Sequence, residues 1–308
     1  MYKKRGMMVE DEDILRIMDA LAENDALSMV HAENGPAVDY LWEKQVADGN
    51  VGNDVFIEVH RDLLEAEAIL RAVALAESVC CPLYIPHIAV KEGIDVLRRI
   101  KHSLRMPLFM ETCPHYLLLT NDEVLKRGAL AKIAPPIREV HDSEALWSAL
   151  QDGFINTVGT DHAAIKKEKK LKSNHILDAP YGAPGIELLL PLMYSEGVRK
   201  GRISLGRMVQ VLCENPAKIF GLFPKKGALV PGADADLVVF NSEKKQVCKA
   251  ETQHSNAGFC LYEGIETTGA PEIVMQRGKI LLEEGNLNAQ FGDGRYLPAG
   301  ERHWNDIN

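Results

Sequence analysis

Three segments of this 308-residue chain end in side chains suited to metal or acid–base chemistry. Each segment is a short apolar run that predicts a β-strand, and the runs end at His31, at His87 and at Asp161. The carboxyl ends of parallel strands meet at one face of a barrel, so these side chains are predicted to share a cleft. Histidine and aspartate together suit Zn²⁺ or a similar divalent ion. Taken singly, each residue is better explained as a hydrogen-bonded polar group, and their repetition at successive strand ends is what favours a site.

Residues beside these strand ends admit two interpretations each. Glu33 and Asn34 either orient the His31 imidazole or belong to a turn at Asn34-Gly35, and the turn is favoured. Arg138 either binds an anionic group of a substrate or braces its loop through backbone carbonyls, and bracing is favoured.

The elements that position these residues alternate along the first 210 or so residues. Strands are predicted at 26–31, 81–87, 107–112 and 154–160. Helices are predicted at 11–24, 63–79, 90–103 and 142–151, the last with Asp142 as its N-cap. This alternation indicates parallel βαβ units, as in a TIM barrel or an open doubly wound sheet. No G-x-G-x-x-G follows any strand, so a dinucleotide-binding fold has no support.

The sequence pattern changes after residue 221, where short apolar runs are separated by glycines. Such runs are typical of a small antiparallel sheet. We therefore predict an α/β fold with two domains. Residues 1–221 form a partial barrel of about four βα units that carries the strand-end site, and residues 222–308 form a β-rich region with a polar tail.

Composition narrows the classes of function. The chain has 35 Lys and Arg against 44 Asp and Glu, a net charge of −9 that disfavours nucleic-acid binding. The lysine-rich run at 166–170 is interpreted as a solvated loop. No apolar run approaches the roughly 18 residues that a membrane span needs, and the basic start lacks the apolar stretch of a signal peptide. Six cysteines without a C-x-x-C pair predict reduced thiols, as in a cytoplasmic protein.

Several longer motifs resemble the dihydropyrimidinase and hydantoinase group of the amidohydrolase superfamily, and together they cover nearly the whole chain. In chain order they read VHAENG, EAEAILRA, LYIPH, ETCPHYLLLT, APPIRE, LWSALQDGFINTVGTDH and NPAKIFGLFPKKGALVPGADADLVVF. The APPIR and GAPGIE stretches are also similar to allantoinases and dihydroorotases, which leaves those enzymes as alternatives.

The resemblance implies a TIM barrel with a binuclear metal centre, usually zinc, beside a small β-sandwich. It implies hydrolysis of a cyclic amide C–N bond in a hydantoin or dihydropyrimidine, because two metals activate water and polarise the scissile carbonyl. By motif, His31 and His87 would hold one metal, and Asp161 would hold the other and act as the base. Tyr2 would hydrogen-bond the developing oxyanion.

The resemblance also implies a substrate-binding role for two loop positions and an assembly state. Ala134 and Tyr181 stand where hydantoinases usually have Ser and Asn, so the identity of the ring is left open. The family is commonly tetrameric, which predicts a homo-oligomer.

Two departures from the family pattern bear on activity. No H-x-H occurs anywhere in the 308 residues, and the metal-bridging lysine expected just before the matched Tyr2 is not in the chain. Four βα units are also half of the eight that close a barrel. We therefore expect at most partial zinc occupancy, and an N-terminal part that is missing or supplied separately. The alternative is a non-catalytic, dihydropyrimidinase-related assembly protein.

Overall fold

The structure, a computed structural model, describes residues 8–307, so Tyr2 lies outside the described residues. Contacts divide the chain into two units. The parallel unit runs to Ile186 and includes Lys249–Glu263, and the antiparallel unit comprises Glu187–Cys248 and the residues from Gly264 onward. The domain boundary after residue 221 stays a prediction, because this division by contacts does not test it.

Helices make up most of the parallel unit and the start of the antiparallel unit. In the described chain the α-helices are α1 (Asp11–Ala22), α2 (Gly35–Ala47), α3 (Asn53–Val59), α4 (Asp62–Ser78), α5 (Lys91–Ile100), α6 (Pro114–Leu118), α7 (Asp122–Arg127), α8 (Val140–Gln151), α9 (Lys167–Leu171), α10 (Leu189–Leu192), α11 (Leu205–Val209) and α12 (Asn215–Ile219). Two π-helical stretches, Met193–Val198 and Gln210–Glu214, continue α10 and α11. No helix among residues 8–307 has the length and apolar character needed to cross a membrane.

The strands form two separate four-stranded sheets. They are β1 (Ser28–Met29), β2 (Leu83–Ile85), β3 (Leu108–Thr112), β4 (Thr157–Val158), β5 (Leu237–Val247), β6 (Glu266–Gln276), β7 (Lys279–Glu283) and β8 (Asn286–Leu287). The first four are parallel in the order β1-β2-β3-β4. Each lies inside a predicted strand, so the prediction of four parallel strands is confirmed, although the strands are shorter than predicted.

Most of the parallel sheet is buried, although Met29 of β1 is exposed. Every residue of β2 is buried, as expected of a parallel strand packed on both faces. Helix α4 buries a stripe of small residues that includes Ala68, Ala72 and Ala76, and it packs on α5. Helices α2 and α3 were not predicted from the sequence. Asn34 caps α2 by accepting a hydrogen bond from the Ala37 N–H at 3.1 Å. This capping bond explains why a polar residue stands at position 34.

The start of α8 differs from the prediction. The expectation that Asp142 is the N-cap is wrong, because the helix begins at Val140 and Glu139 is the N-cap. The Asp142 carboxylate accepts hydrogen bonds from the backbone N–H of Glu139 at 3.1 Å and of Lys91 at 2.8 Å. One buried carboxylate therefore caps two helices, α8 and α5.

The antiparallel unit contains the second sheet, in the order β5-β6-β7-β8. Strands β5 and β6 pair over most of their length, with Leu237 opposite Met275 and Val247 opposite Glu266. At Gly269 the backbone φ is +103°, and an added Cβ would lie 2.3 Å from the Tyr194 ring. Only glycine fits there, so the Tyr194 ring can pack against Phe240 with their centroids 4.7 Å apart.

Candidate metal and substrate site

Two of the predicted ligands face each other at the ends of neighbouring strands. The Nδ1 atom of His31, after β1, lies 3.1 Å from the Nε2 atom of His87, after β2. His87 is buried and His31 is half-buried. His87 and Asp161 have backbone φ angles of +44° and +43°, a region that residues other than glycine seldom adopt and that clusters at functional sites. The strand ends therefore turn sharply where the predicted ligands lie.

The spacing of the two imidazoles fits a single divalent cation. Zn–N bonds of 2.0–2.1 Å in tetrahedral geometry put two ligand nitrogens about 3.3 Å apart, close to the observed 3.1 Å between His31 and His87. Burial, followed by the charge of His31, lowers the pKa of His87 to about 3. His87 is therefore neutral at neutral pH, which is the protonation state that a metal ligand needs.

Asp161 lies within electrostatic reach of His31. Partial desolvation raises the pKa of the Asp161 carboxyl, and the charge of the His31 ring opposes that shift. The residue still meets solvent, as a group that exchanges protons with water must. The structure thus brings the ring nitrogens of His31 and His87 together, whereas Asp161 is linked to the pair by its electrostatic interaction with His31.

A second carboxylate lies at the same strand ends and was not singled out from the sequence. Tyr84 donates to the Oε2 of Glu111 at 2.7 Å, and the backbone N–H of His87 also bonds this carboxylate. A Cβ on Gly159 would lie 2.3 Å from the carboxylate, so the glycine of the VGTDH motif makes room for Glu111. Glu111 therefore holds the backbone of His87.

The described residues supply two facing ligand nitrogens and do not complete a binuclear centre. The described residues offer the His31–His87 pair with Asp161 nearby, and the 308-residue sequence contains no H-x-H pair. A binuclear centre would need ligands that these residues do not supply.

Charged residues are buried directly behind His31. The Oε2 of Glu33 lies 3.5 Å from His31 Nε2, and its Oε1 lies 3.7 Å from His60 Nε2. Burial alone would raise the pKa of Glu33, but the hydrogen bond with His31 and the charges of His60, His31 and Arg138 lower it overall. Burial lowers the pKa of His60, whose Nδ1 donates to the Phe56 carbonyl at 2.8 Å. The Glu33 carbonyl also accepts a hydrogen bond from the Gly35 N–H at 3.0 Å, so the favoured turn is present and the Glu33 carboxylate lies beside His31 as well.

A second buried group supports the backbone after His87. Glu65 accepts a hydrogen bond from the Ala89 N–H at 2.8 Å and pairs with Arg138 at 2.7 Å. Arg138 also donates to the His60 carbonyl and pairs with Asp62 at 2.9 Å. The interpretation of Arg138 as a brace is confirmed by the bond to a backbone carbonyl, whereas the role of Glu65 had no signal beyond its place in a helical motif.

The two predicted substrate positions belong to loops that one buried lysine joins. Gly182, beside Tyr181, donates its N–H to the Lys132 carbonyl at 3.0 Å, two residues before Ala134. The ammonium of Lys170 donates to the Lys132 carbonyl at 3.0 Å and to the Gly182 carbonyl at 2.5 Å. Lys170 is fully buried, so the interpretation of its run as a solvated loop is wrong at this position.

Lys132 itself supports the Tyr181 ring. Its ammonium donates to the Leu177 carbonyl at 2.7 Å and lies 4.2 Å from the centroid of the Tyr181 ring. The rings of Trp42 and Phe56 lie 4.7 and 5.6 Å from the same ammonium. A cation held among aromatic rings restricts their motion, so Tyr181 is fixed in place.

A further cluster of possible ligands is explained by its place at three helix N-termini. Asp62, Glu92 and His141 have ligand-type atoms within 4.8 Å of one another. They lie in the first turns of α4, α5 and α8, where the positive end of the helix dipole stabilises carboxylates. Asp62 already forms an ion pair with Arg138. This arrangement accounts for the carboxylates without a metal ion.

A parallel sheet with histidines and an aspartate at its strand ends is the arrangement of the amidohydrolase family. The chain belongs to that family, whose sequence profile matches residues 1–281.

Particular relatives are D-hydantoinases. The chain is 40% identical over 298 residues to the D-hydantoinase of Rhizobium radiobacter and 38% identical over 299 residues to that of Ralstonia pickettii. Each match covers 95% of this chain and 65% of the relative, so the chain spans about two thirds of the length of these proteins. Its structure is similar to that of the dihydropyrimidinase from Brevibacillus agri, with a TM-score of 0.94, 33% identity and coverage of 98% of this chain and 66% of the other. The predicted partial TIM barrel with a β-rich region is confirmed.

Proposed function

We propose that this chain contributes the His31–His87 half of a metal-dependent site that hydrolyses the C–N bond of a cyclic amide, of hydantoin or dihydropyrimidine type. The observation that carries the proposal is the 3.1 Å separation of the two imidazole nitrogens at the ends of adjacent parallel strands. The D-hydantoinase relatives support the substrate class. Because the chain spans 65% of their length and lacks an H-x-H pair, hydrolysis requires further ligands.

In this proposal each residue has a separate task. A divalent ion, for which we propose zinc, would supply Lewis acidity that polarises the carbonyl and acidifies water. His31 and His87 would hold it, and Asp161 would accept the proton of the attacking water and pass it to the leaving nitrogen. Tyr2 would donate to the developing oxyanion.

The loops joined by Lys170 would bind the ring. Ala134 and Tyr181 flank a backbone hydrogen bond between Lys132 and Gly182, so their loops present backbone groups at a fixed spacing. An amide of the substrate is recognised by such groups whatever the side chains are. We further propose that the protein is a cytoplasmic homo-oligomer. The six cysteines, which form no disulfide, support the compartment, and the family resemblance supports the oligomer.

Cobalt binding and ring opening test this proposal together. Co²⁺ is titrated into the purified chain by visible absorbance, and hydrolysis of hydantoin and dihydrouracil is followed with and without the N-terminal segment of a D-hydantoinase that carries its H-x-H pair. We expect at most one Co²⁺ per chain, lost in His31→Ala and His87→Ala. We expect turnover only with the added segment, and loss of that turnover in Asp161→Asn.

The exposed His102→Ala is the matched control and should keep both properties. Full Co²⁺ binding by the double variant His31→Ala/His87→Ala would contradict the assignment of the ligands. Absence of turnover with the segment present, while the segment is shown to bind, would contradict the proposed activity.

A non-catalytic assembly protein is the second candidate. The observation in its favour is that the 308-residue sequence contains no H-x-H pair. This candidate predicts a metal-free oligomer of defined mass by light scattering, unchanged by His31→Ala and without turnover under any of the conditions above.

A further inference from the structure

Glu33 and His87 lie on opposite sides of the His31 imidazole. His31 Nδ1 faces His87 Nε2 at 3.1 Å, and His31 Nε2 faces Glu33 Oε2 at 3.5 Å. The two nitrogens of an imidazole point away from each other, so Glu33 cannot share a cation with His87 through this ring. The carboxylate lies behind the candidate ligand and not beside it.

The position of Glu33 determines where the proton of His31 lies. A carboxylate can only accept a hydrogen bond, so the nitrogen that faces it must carry the hydrogen. A neutral His31 with its proton on Nε2 has its lone pair on Nδ1, the nitrogen that faces His87. This tautomer is the one in which both imidazoles can bind the same ion.

The surroundings of Glu33 keep its carboxylate in this position. The side chain is almost completely buried, and the fully buried His60 ring closes off the other oxygen, with Nε2 3.7 Å from Oε1. That separation exceeds a hydrogen bond. His60 is in turn fixed by the Phe56 carbonyl and by the Phe56 ring, whose centroid is 4.4 Å away. The His60 ring thus limits rotation of the Glu33 carboxylate by steric contact.

We propose that Glu33 is a positioning residue that holds the His31 imidazole in the Nε2–H tautomer, with its Nδ1 lone pair directed toward His87 for a divalent cation. The inference rests on the proposed metal site. It adds to it a residue of this chain that acts through His31, as carboxylates behind metal-ligating histidines generally do.

The first test uses the metal-free chain and needs no activity. Long-range ¹H–¹⁵N spectra of protein labelled with ¹⁵N-histidine report the tautomer of each ring. We expect His31 to carry its proton on Nε2 in the wild type and in Glu33→Gln, whose amide oxygen still accepts. In Glu33→Ala we expect a mixture of tautomers. A wild-type His31 protonated on Nδ1, or an unchanged tautomer in Glu33→Ala, would overturn the proposal.

The second test measures Co²⁺ affinity by visible absorbance. We expect Glu33→Ala to weaken binding by about 10- to 100-fold and Glu33→Gln to weaken it less. The control is Glu77→Ala, which removes a carboxylate paired with Arg105 on the far part of α4 and should leave affinity unchanged. Equal affinity for wild type and Glu33→Ala would contradict the positioning role.

These readouts separate failure of the inference from failure of the proposed function. If the wild type binds no Co²⁺, the proposed metal site is wrong, and the tautomer of His31 still tests the role of Glu33. Near-ultraviolet circular dichroism identifies a variant that does not fold, and Glu33→Gln then carries the comparison because it keeps the size of the side chain.

Discussion

The charged side chains around the candidate site of the parallel unit differ in burial from exposed ion pairs of the antiparallel unit. In the parallel unit Glu33, Glu65 and Arg138 are buried and bonded to the segments that carry the candidate ligands. In the antiparallel unit pairs such as Arg199–Glu243 lie at the surface. Buried charges must be paired to be tolerated, so they fix the groups around them, whereas exposed pairs are screened by water and salt. Burial therefore decides which ion pairs shape the site.

The largest contrast is expected from removing one arginine in each unit. Arg138→Met removes the donor to the Oε2 of the buried Glu65 carboxylate and to the His60 carbonyl, while Glu65 keeps only its bond from the Ala89 N–H. We expect the free energy of unfolding to fall by about 3–5 kcal/mol in urea denaturation. Arg199→Met removes an exposed pair and should cost less than about 1 kcal/mol. Equal losses of stability in the two variants would contradict the conclusion that buried ion pairs contribute more than exposed ones.

Acid should destabilise the parallel unit through its buried histidines. Burial lowers the pKa of His115 from 6.5 to about 3, so the folded state binds its proton less readily than the unfolded state. This stability is complete above pH 6.5 and is lost as the pH falls toward 3, on the order of 3 kcal/mol by pH 4. His115→Phe should reduce the pH dependence of the urea midpoint between pH 6.5 and 4. A dependence as steep as that of the wild type would contradict this assignment.

A smaller effect is expected at the loops that carry Ala134 and Tyr181. Lys170→Met removes the donor to the Lys132 and Gly182 carbonyls, and we expect a loss of about 2–3 kcal/mol. Hydrogen exchange at the Gly182 amide should quicken as the loops separate. The neighbouring exposed Lys169→Met is the control and should change neither quantity. Unchanged exchange in Lys170→Met would show that the lysine does not join the loops.

The smallest expected loss of stability comes from removing a helix N-cap. This loss should be equal in the two units. Asn34 caps α2 in the parallel unit, and Ser204 caps α11 in the antiparallel unit by accepting from Arg207 N–H. Changing either residue to Ala should cost about 1 kcal/mol by thermal or urea unfolding, because a cap acts on its own helix end. A much larger loss of stability in only one of the two variants would mean that the contribution of an N-cap also differs between the units.

Much of the candidate site was predictable because it follows from strand order. Apolar runs that end in His31, His87 and Asp161 predict parallel strands, and parallel strands bring their carboxyl ends together. The distance between His31 and His87 agrees with that prediction. The catalytic and binding roles of these residues, of Tyr2, Ala134 and Tyr181 stay predictions until the variants are measured.

The residues behind the ligands were harder to predict because burial is not a property of a residue type. Lys170 was interpreted as part of a solvated loop, yet it is buried, and the burial of the Glu33 side chain was not predicted either. The burial of neither residue could be predicted from local sequence, since charged residues in short polar stretches are usually exposed. The same reasoning explains why Glu65, inside a helical motif, gave no signal.

The sequence by itself determined the four parallel strands, the change to a second sheet and the family, because hydrophobic periodicity and motif order are properties of the chain alone. Only the tertiary structure decided which charges are buried, which carboxylate lies behind His31 and which loops Lys170 joins. Those features depend on contacts between residues distant in sequence, such as Glu65 with Arg138 and Lys170 with Lys132. A pattern along the chain does not encode such contacts directly, and packing selects them.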